Sequence, residues 1–140
     1  MIAAMSNTLA TDRFELQDLM LNYAAGVDER DIERYRACFA KDVEVINFGT
    51  HTYRSSEEWV SYVWSVLDKY SATQHMMGPQ FATIDGDTAT TRIDVQAVHF
   101  VAGIEERFTL WATYDTIMQR INGRWLISRH ELTVRGASTD

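Results

Sequence analysis

Asp85-Gly86-Asp87-Thr88-Ala89-Thr90-Thr91-Arg92-Ile93-Asp94-Val95-Gln96-Ala97-Val98-His99-Phe100-Val101 is the stretch that decides the fold. It opens on Asp-Gly, a tight-hairpin pair, and then alternates. Ile93, Val95, Ala97, His99 and Val101 share one face, and Arg92, Asp94 and Gln96 the other. A period of two is strand geometry. A strand running from Thr88 to Val101 is long enough that it must twist and curl. The pattern repeats downstream. Gly103 turns the chain, and Glu106 to Ile121 reads as the next strand. Phe108, Leu110, Ala112, Tyr114 and Met118 lie on one face of it, opposed by Arg107, Thr109, Thr113, Asp115 and Gln119. Asn122-Gly123 is a second hairpin signal, and Trp125 to Val134 the last strand, before a loose tail from Arg135 to Asp140. Upstream, Thr73 to Ile84 reads as one strand, bulged near Gly78-Pro79. Both faces of that strand and of the last one are mixed, so parity does not orient them.

Before Ser71 the period is 3.6. Leu16, Leu19, Met20, Tyr23, Ala24 and Val27 form one stripe of a helix from about Asp12 to Val27, with Asp12 and Glu15 as a capping box. If the last turn stays helical, Asp28 extends that stripe towards the core. A second helix runs from its cap Asp31 to about Phe39, with Cys38 packed in it. Asp42 to Phe48 reads as a strand, with His51 to Arg54 returning after Gly49. Ser55 and Glu58 cap a third helix, whose stripe is Trp59, Tyr62, Val63, Val66, Leu67 and Tyr70. Helices followed by a strand meander predict an α+β fold. The expected form is a cone-shaped, mostly antiparallel curved sheet, a partial barrel, with three N-terminal helices on its concave face, in a single domain over 1–140. His99 and Tyr114 then point inward, and Val95, Ala97, Phe108 and Leu110 line an apolar pocket.

Composition limits the function. The 140 residues carry a net charge of -7 with no basic cluster, which argues against nucleic acid and anionic membranes as partners. No apolar run approaches the roughly 18 residues of a membrane span. Met1 to Ser6 reads as a ragged end and not as a signal peptide. The single cysteine, Cys38, permits no intramolecular disulfide and fits a reducing cytoplasm. HExxH, HxH, CxxC, GxSxG, GxGxxG and phosphate-binding glycine loops are all absent, so neither a metal nor a nucleotide cofactor is expected.

The remaining candidates are acid–base groups. A carboxylate that orients an imidazole makes a general base effective near neutral pH. Asp28 and His75 could form such a pair. Asp28 could equally open an ordinary turn in Asp28-Glu29-Arg30-Asp31, and His75 could be a satisfied strand histidine. His99 on an aliphatic face needs a partner to offset its burial. Tyr23 and Tyr114 can pack as core residues or offer hydroxyls to a substrate oxygen. His51 and His130 receive no role. Trp111 and Ile117 on the outer sheet face suggest self-association as a homodimer or homotrimer.

Several short motifs in order resemble the SnoaL-like branch of the nuclear transport factor 2-like superfamily. They are a helix ending in Asp28, Cys38-Phe39-Ala40-Lys41-Asp42, an aromatic third helix, Thr73-Gln74-His75, Asp85-Gly86-Asp87-Thr88-Ala89 and Asn122-Gly123-Arg124-Trp125. The resemblance runs from about Asp12 to Val134. Within the branch the chain is most similar to scytalone dehydratases, bile acid 7α-dehydratases and hexachlorocyclohexane dehydrochlorinases, which are cofactor-free lyases with an Asp–His pair. The resemblance implies catalytic roles for Asp28, His75, His99 and Tyr23. It puts Tyr114, Asn47, Val27 and Ala112 at substrate-contacting positions. Val27 stands where scytalone dehydratase has a tyrosine, and Ala112 and Tyr114 where it has serine and asparagine, so the pocket is remodelled. The function expected is a dehydratase-like elimination on a hydrophobic polycyclic or aromatic hydroxy substrate. Isomerases, polyketide cyclases and noncatalytic oxygenase subunits share the superfamily and remain alternatives.

Overall fold

A computed structural model describes residues 2–101, 103 and 105–140, with the side chains of 2–7 left aside. Helices α1 (Ile2–Asp28), α2 (Ile32–Arg36) and α3 (Ser56–Leu67) alternate with the first strand and precede a meander. The strands are β1 (Phe39–Ile46), β2 (Tyr70–Met77), β3 (Phe81–Asp85), β4 (Thr88–Val101), β5 (Arg107–Ile121) and β6 (Arg124–Thr139). The sheet has six strands in the order β1-β6-β5-β4-β2, with β3 also paired to β4. All pairs are antiparallel except β1 with β6. The curved sheet stays open, and the three helices pack on it, as expected for the α+β plan. The core joins Leu16, Met20 and Val27 of α1 to Trp59 and Val60 of α3 and to Ile93, Val95, Ala112 and Ile127 of the sheet.

Several boundaries differ from the sequence expectation. Helix α1 starts at Ile2, so the expected ragged end is helical from Ile2 onward, while Met1 lies outside the described residues. Asp12 is therefore not a cap. It is buried in mid-helix, where it accepts hydrogen bonds from Arg120 at 2.9 Å and Trp125 Nε1 at 3.2 Å. Those partners are remote in sequence, and a local pattern cannot reveal them. Helix α2 stops at Arg36, and Phe39 opens β1, so Cys38 lies between the two elements. The segment 51–54 contributes one bridge, Val45 with Tyr53, and no strand. Gly78 and Pro79 divide the expected upstream strand into β2 and β3, which pair with successive parts of β4. The tail is not loose: β5 pairs with β6 as far as Thr139.

Two bulges explain the mixed faces of the last strand. Ile117 pairs with Arg129 and Met118 with Ile127, leaving Ser128 as an extra residue. Each such insertion turns the following side chains over. Trp125 and Ile127 are thus buried before the bulge, and His130 and Leu132 after it. A second shift near Arg135 reverses the parity again.

Candidate active site

Asp28 ends α1, and its position depends on how that helix stops. Gly26 lies against α2 so closely that a Cβ there would come within 2.8 Å of the Tyr35 backbone nitrogen. Asp31 N–H donates to Gly26 O at 2.8 Å, while Arg30 takes the left-handed conformation, φ 57°. This is a Schellman-type end, with arginine where glycine is usual. The guanidinium holds the turn by donating to Val27 O at 2.6 Å and to Thr73 Oγ1 at 2.8 Å. The helix end is thereby tied to β2.

Strand β2 supplies the other half. Thr73 lies opposite His99, and His75 opposite Ala97, in register with β4. Because His99 and Ala97 face inward, so do Thr73 and His75. The Asp28 carboxylate accepts three hydrogen bonds: from His75 N–H at 2.8 Å, from the Thr73 hydroxyl at 3.0 Å, and from His75 Nδ1 at 2.8 Å. Burial alone would raise the Asp28 pKa, but the His75 side chain and backbone, its charge and Thr73 outweigh burial and hold the carboxyl below its ordinary range. An ionised carboxylate only accepts, so the ring proton of His75 resides on Nδ1. In the neutral ring the other nitrogen, Nε2, carries the lone pair, on an imidazole that lines a cavity.

That cavity has a volume of about 430 Å³. Helix α3 contributes Trp59, Tyr62, Val63, Val66 and Leu67 to its wall. Of the expected site residues, Tyr23, Val27, Asn47, His75, Ala97, His99, Phe108, Leu110 and Tyr114 line it. Asp28 stands behind His75. Val95 and Ala112, expected in the lining, are core residues outside the wall. They pair with each other across β4 and β5, further along the same inward face. Parity gives the face of a side chain but not its depth.

His99 Nδ1 lies 3.1 Å from the Phe108 carbonyl and must donate to it. Burial, helped by nearby His75, lowers its pKa despite that carbonyl. His99 is thus a neutral ring, suited to accepting a hydrogen bond through Nε2. A neutral ring in this tautomer can hold a water through Nε2 but has no spare proton for a departing oxygen. Also on the wall, Tyr23 interacts through its hydroxyl with Tyr35 and Tyr114. Burial pushes the Tyr114 phenol up to about 12 and also holds the Tyr23 phenol well above its ordinary value, so both remain protonated.

Sequence reasoning missed Thr73, Arg30, Tyr35, Phe48, Leu132 and Val134. Thr73 had a signal, since it shares a face with His75 by spacing. Leu132 and Val134 had none, because the bulge at Ser128 sets their side. Among the described residues, no three His, Cys, Asp or Glu side chains are grouped to hold a metal ion. Among the described residues, no helix is long and apolar enough to cross a membrane.

Comparison with known proteins gives the same architecture. The model of the SnoaL-like domain matches residues 8–131. An uncharacterized protein of Mycobacterium tuberculosis is 27% identical over 126 residues, which are 85% of this chain and 82% of that protein. A scytalone dehydratase-like protein from Novosphingobium aromaticivorans superposes with a TM-score of 0.88 at 18% identity, over 95% of this chain and 90% of its own. Hexachlorocyclohexane dehydrochlorinase LinA-type3 from Novosphingobium barchaimii does so with a TM-score of 0.84 at 20% identity, over 94% and 91%. At such identities the structural likeness is one of fold. The family match spans the Asp28 helix end, the β2 histidine and all of the cavity wall but Leu132 and Val134, and the chain belongs to the SnoaL-like domain family.

Proposed function

We propose that the chain is a cofactor-independent lyase that eliminates water from a hydrophobic polycyclic or aromatic hydroxy substrate. The single observation that carries this reading is the Asp28–His75 contact, 2.8 Å long, on the wall of an apolar cavity. His75 Nε2 takes a proton from a carbon made acidic by a neighbouring carbonyl. Asp28 holds the tautomer and stabilises the imidazolium that forms. The hydroxyl on the adjacent carbon then leaves with the proton carried by His75, so a C–H and a C–O bond are exchanged for a C=C bond and water. His99 accepts a hydrogen bond from that hydroxyl or from the released water. Tyr23 and Tyr114 donate to the carbonyl oxygen as negative charge develops on it. The dehydratase and dehydrochlorinase described for the structural neighbours support elimination as the reaction class.

Two further parts of the reading concern setting. The protein acts in the cytoplasm, consistent with its one buried, free thiol. It works as a homodimer or homotrimer, since Met76, Phe81, Phe100 and Trp111 are exposed on the outward sheet face.

The tyrosine group also favours a second reading, isomerisation or cyclisation, in which the same base and donors move a proton beside a carbonyl and no group is lost. Incubating the protein with bicyclic β-hydroxy ketones in deuterium oxide separates these possibilities. Elimination predicts a product lighter by one water, absent with His75→Ala. Deuterium uptake without loss of water would favour the isomerase or cyclase. Neither outcome, across a broad panel, would leave a ligand-binding module.

A further inference from the structure

Beneath the cavity wall, Thr116 and His130, which the proposed reaction does not use, form a polar chain that ends on Tyr23. His130 is fully buried and is not among the cavity-lining residues. Its Nδ1 is 2.9 Å from Thr116 Oγ1, and its Nε2 is 2.9 Å from the Tyr23 hydroxyl. Phe48 stacks on the ring with centroids 5.1 Å apart, and the Tyr114 ring centroid lies 4.7 Å away. Trp59 Nε1 donates to the Tyr35 hydroxyl at 3.0 Å, closing the far side of the tyrosine group. A leucine in place of His130 would avoid the cost of burying an imidazole. The histidine contributes direction in exchange: each ring nitrogen has one fixed partner.

Burial pushes the His130 pKa down to about 3, so the ring is neutral and has one donor and one acceptor nitrogen. Two arrangements are possible. In one, Tyr23 donates to Nε2 and its proton is spent inside the core. In the other, Thr116 donates to Nδ1, and Nε2–H donates to the Tyr23 oxygen. Only the second frees the Tyr23 proton for Tyr114 or for the cavity. We propose that the Thr116–His130 pair is a positioning unit that holds Tyr23 as a donor and so makes the Tyr23–Tyr114 pole selective for an uncharged ligand oxygen, a ketone, in the cavity that His75 also lines. The inference rests on the cavity being the reaction site. An oxygen that accepts there selects the second arrangement without moving any net charge. Among the described residues, none in the lining is a lysine or arginine, so the pole works by neutral hydrogen bonds and not by pairing an anion.

The test is ligand binding, independent of turnover. The probes are α-tetralone, a bicyclic ketone whose oxygen only accepts, and tetralin, which lacks the oxygen. The wild-type protein should bind α-tetralone with a lowered carbonyl stretching frequency in the infrared. Thr116→Val, close to isosteric, and His130→Leu should each raise that frequency and weaken α-tetralone binding about tenfold, the scale of one hydrogen bond. Tetralin binding should not change. Should His130→Leu fail to fold, Thr116→Val carries the test alone. An unchanged frequency in both variants, no lowering in the wild type, or no binding of α-tetralone would overturn the proposal. Ring-nitrogen NMR of the α-tetralone complex should show the Nε2–H tautomer of His130, and the Nδ1–H tautomer would overturn it too. His75→Ala should leave the frequency as in the wild type. A lowered frequency in a protein without turnover would therefore count against the lyase reading and not against this one.

Discussion

The molecule uses histidine in opposite ways on the cavity wall, at His75, and beneath it, at His130. His75 is about one-tenth exposed and meets an ionised carboxylate, so that a positive charge formed on it is stabilised. His130 is fully buried between two hydroxyls, where a positive charge has no counter-ion and the ring stays neutral. The partner, more than the residue type, decides what each ring can do. A proton-transfer group needs a neighbour that tolerates its charged form. A positioning group needs neighbours that tolerate only its neutral form.

The largest effect expected from breaking this contrast lies at the charged pair. His75→Ala and Asp28→Asn should each reduce turnover by about 10²–10⁴-fold while leaving the fold intact. The double variant should be little worse than the worse single, because the two act as one unit. Steady-state kinetics on whichever bicyclic β-hydroxy ketone the protein turns over would check this, and strictly additive losses would mean two independent roles.

The next effect separates the two histidine sites by pH. Below about pH 6.5 the unfolded chain takes up a proton at His130 that the folded chain refuses until about pH 3, so acid should weaken folding across this window by up to about 1.4 kcal/mol per unit. Asp28 acts lower. Its folded pKa is depressed, so its contribution is complete above the ordinary aspartate value of about 4 and is lost as pH falls through the lowered folded value. Denaturant titrations at several pH values should show the first slope shrink in His130→Leu, the remainder coming from His99, and the second shrink in Asp28→Asn.

A steric change sharpens the comparison further. Gly26→Ala should destabilise the protein by about 1–3 kcal/mol, because its methyl group meets the α2 backbone and the neighbour cannot give way as a side-chain tip could. Activity should fall as well, since Asp28 lies two residues on, whereas tetralin binding should persist. Thr73→Val should be milder, lowering turnover severalfold by removing one donor to Asp28 and one acceptor of Arg30. The smallest effect is none at all. Exhaustive chelation with EDTA should leave turnover unchanged, and loss restored by zinc would revive a histidine metal site.

Much of this was legible in the chain because local periodicity reports which face is apolar. The stripe from Leu16 to Val27, the alternation on β4 and β5, and the Asp-Gly and Asn-Gly turns all correspond to observed elements. The boundaries failed where a distant partner overrides local preference. Asp12 reads as a cap, yet Arg120 and Trp125 hold it within a longer helix. The tail reads as loose because its residues are polar and small, yet β5 offers it a full edge of backbone partners.

What the sequence by itself determined was the α+β plan, the inward faces of the two regular strands and the residue types able to do acid–base work. Only the tertiary structure decided which of those residues meet. A hydrogen bond between Asp28 and His75 depends on strand register and on a left-handed turn at Arg30, and neither is encoded within one window. The orientation of His130 depends on a single extra residue at Ser128, because a strand has a period of two and one insertion reverses everything beyond it.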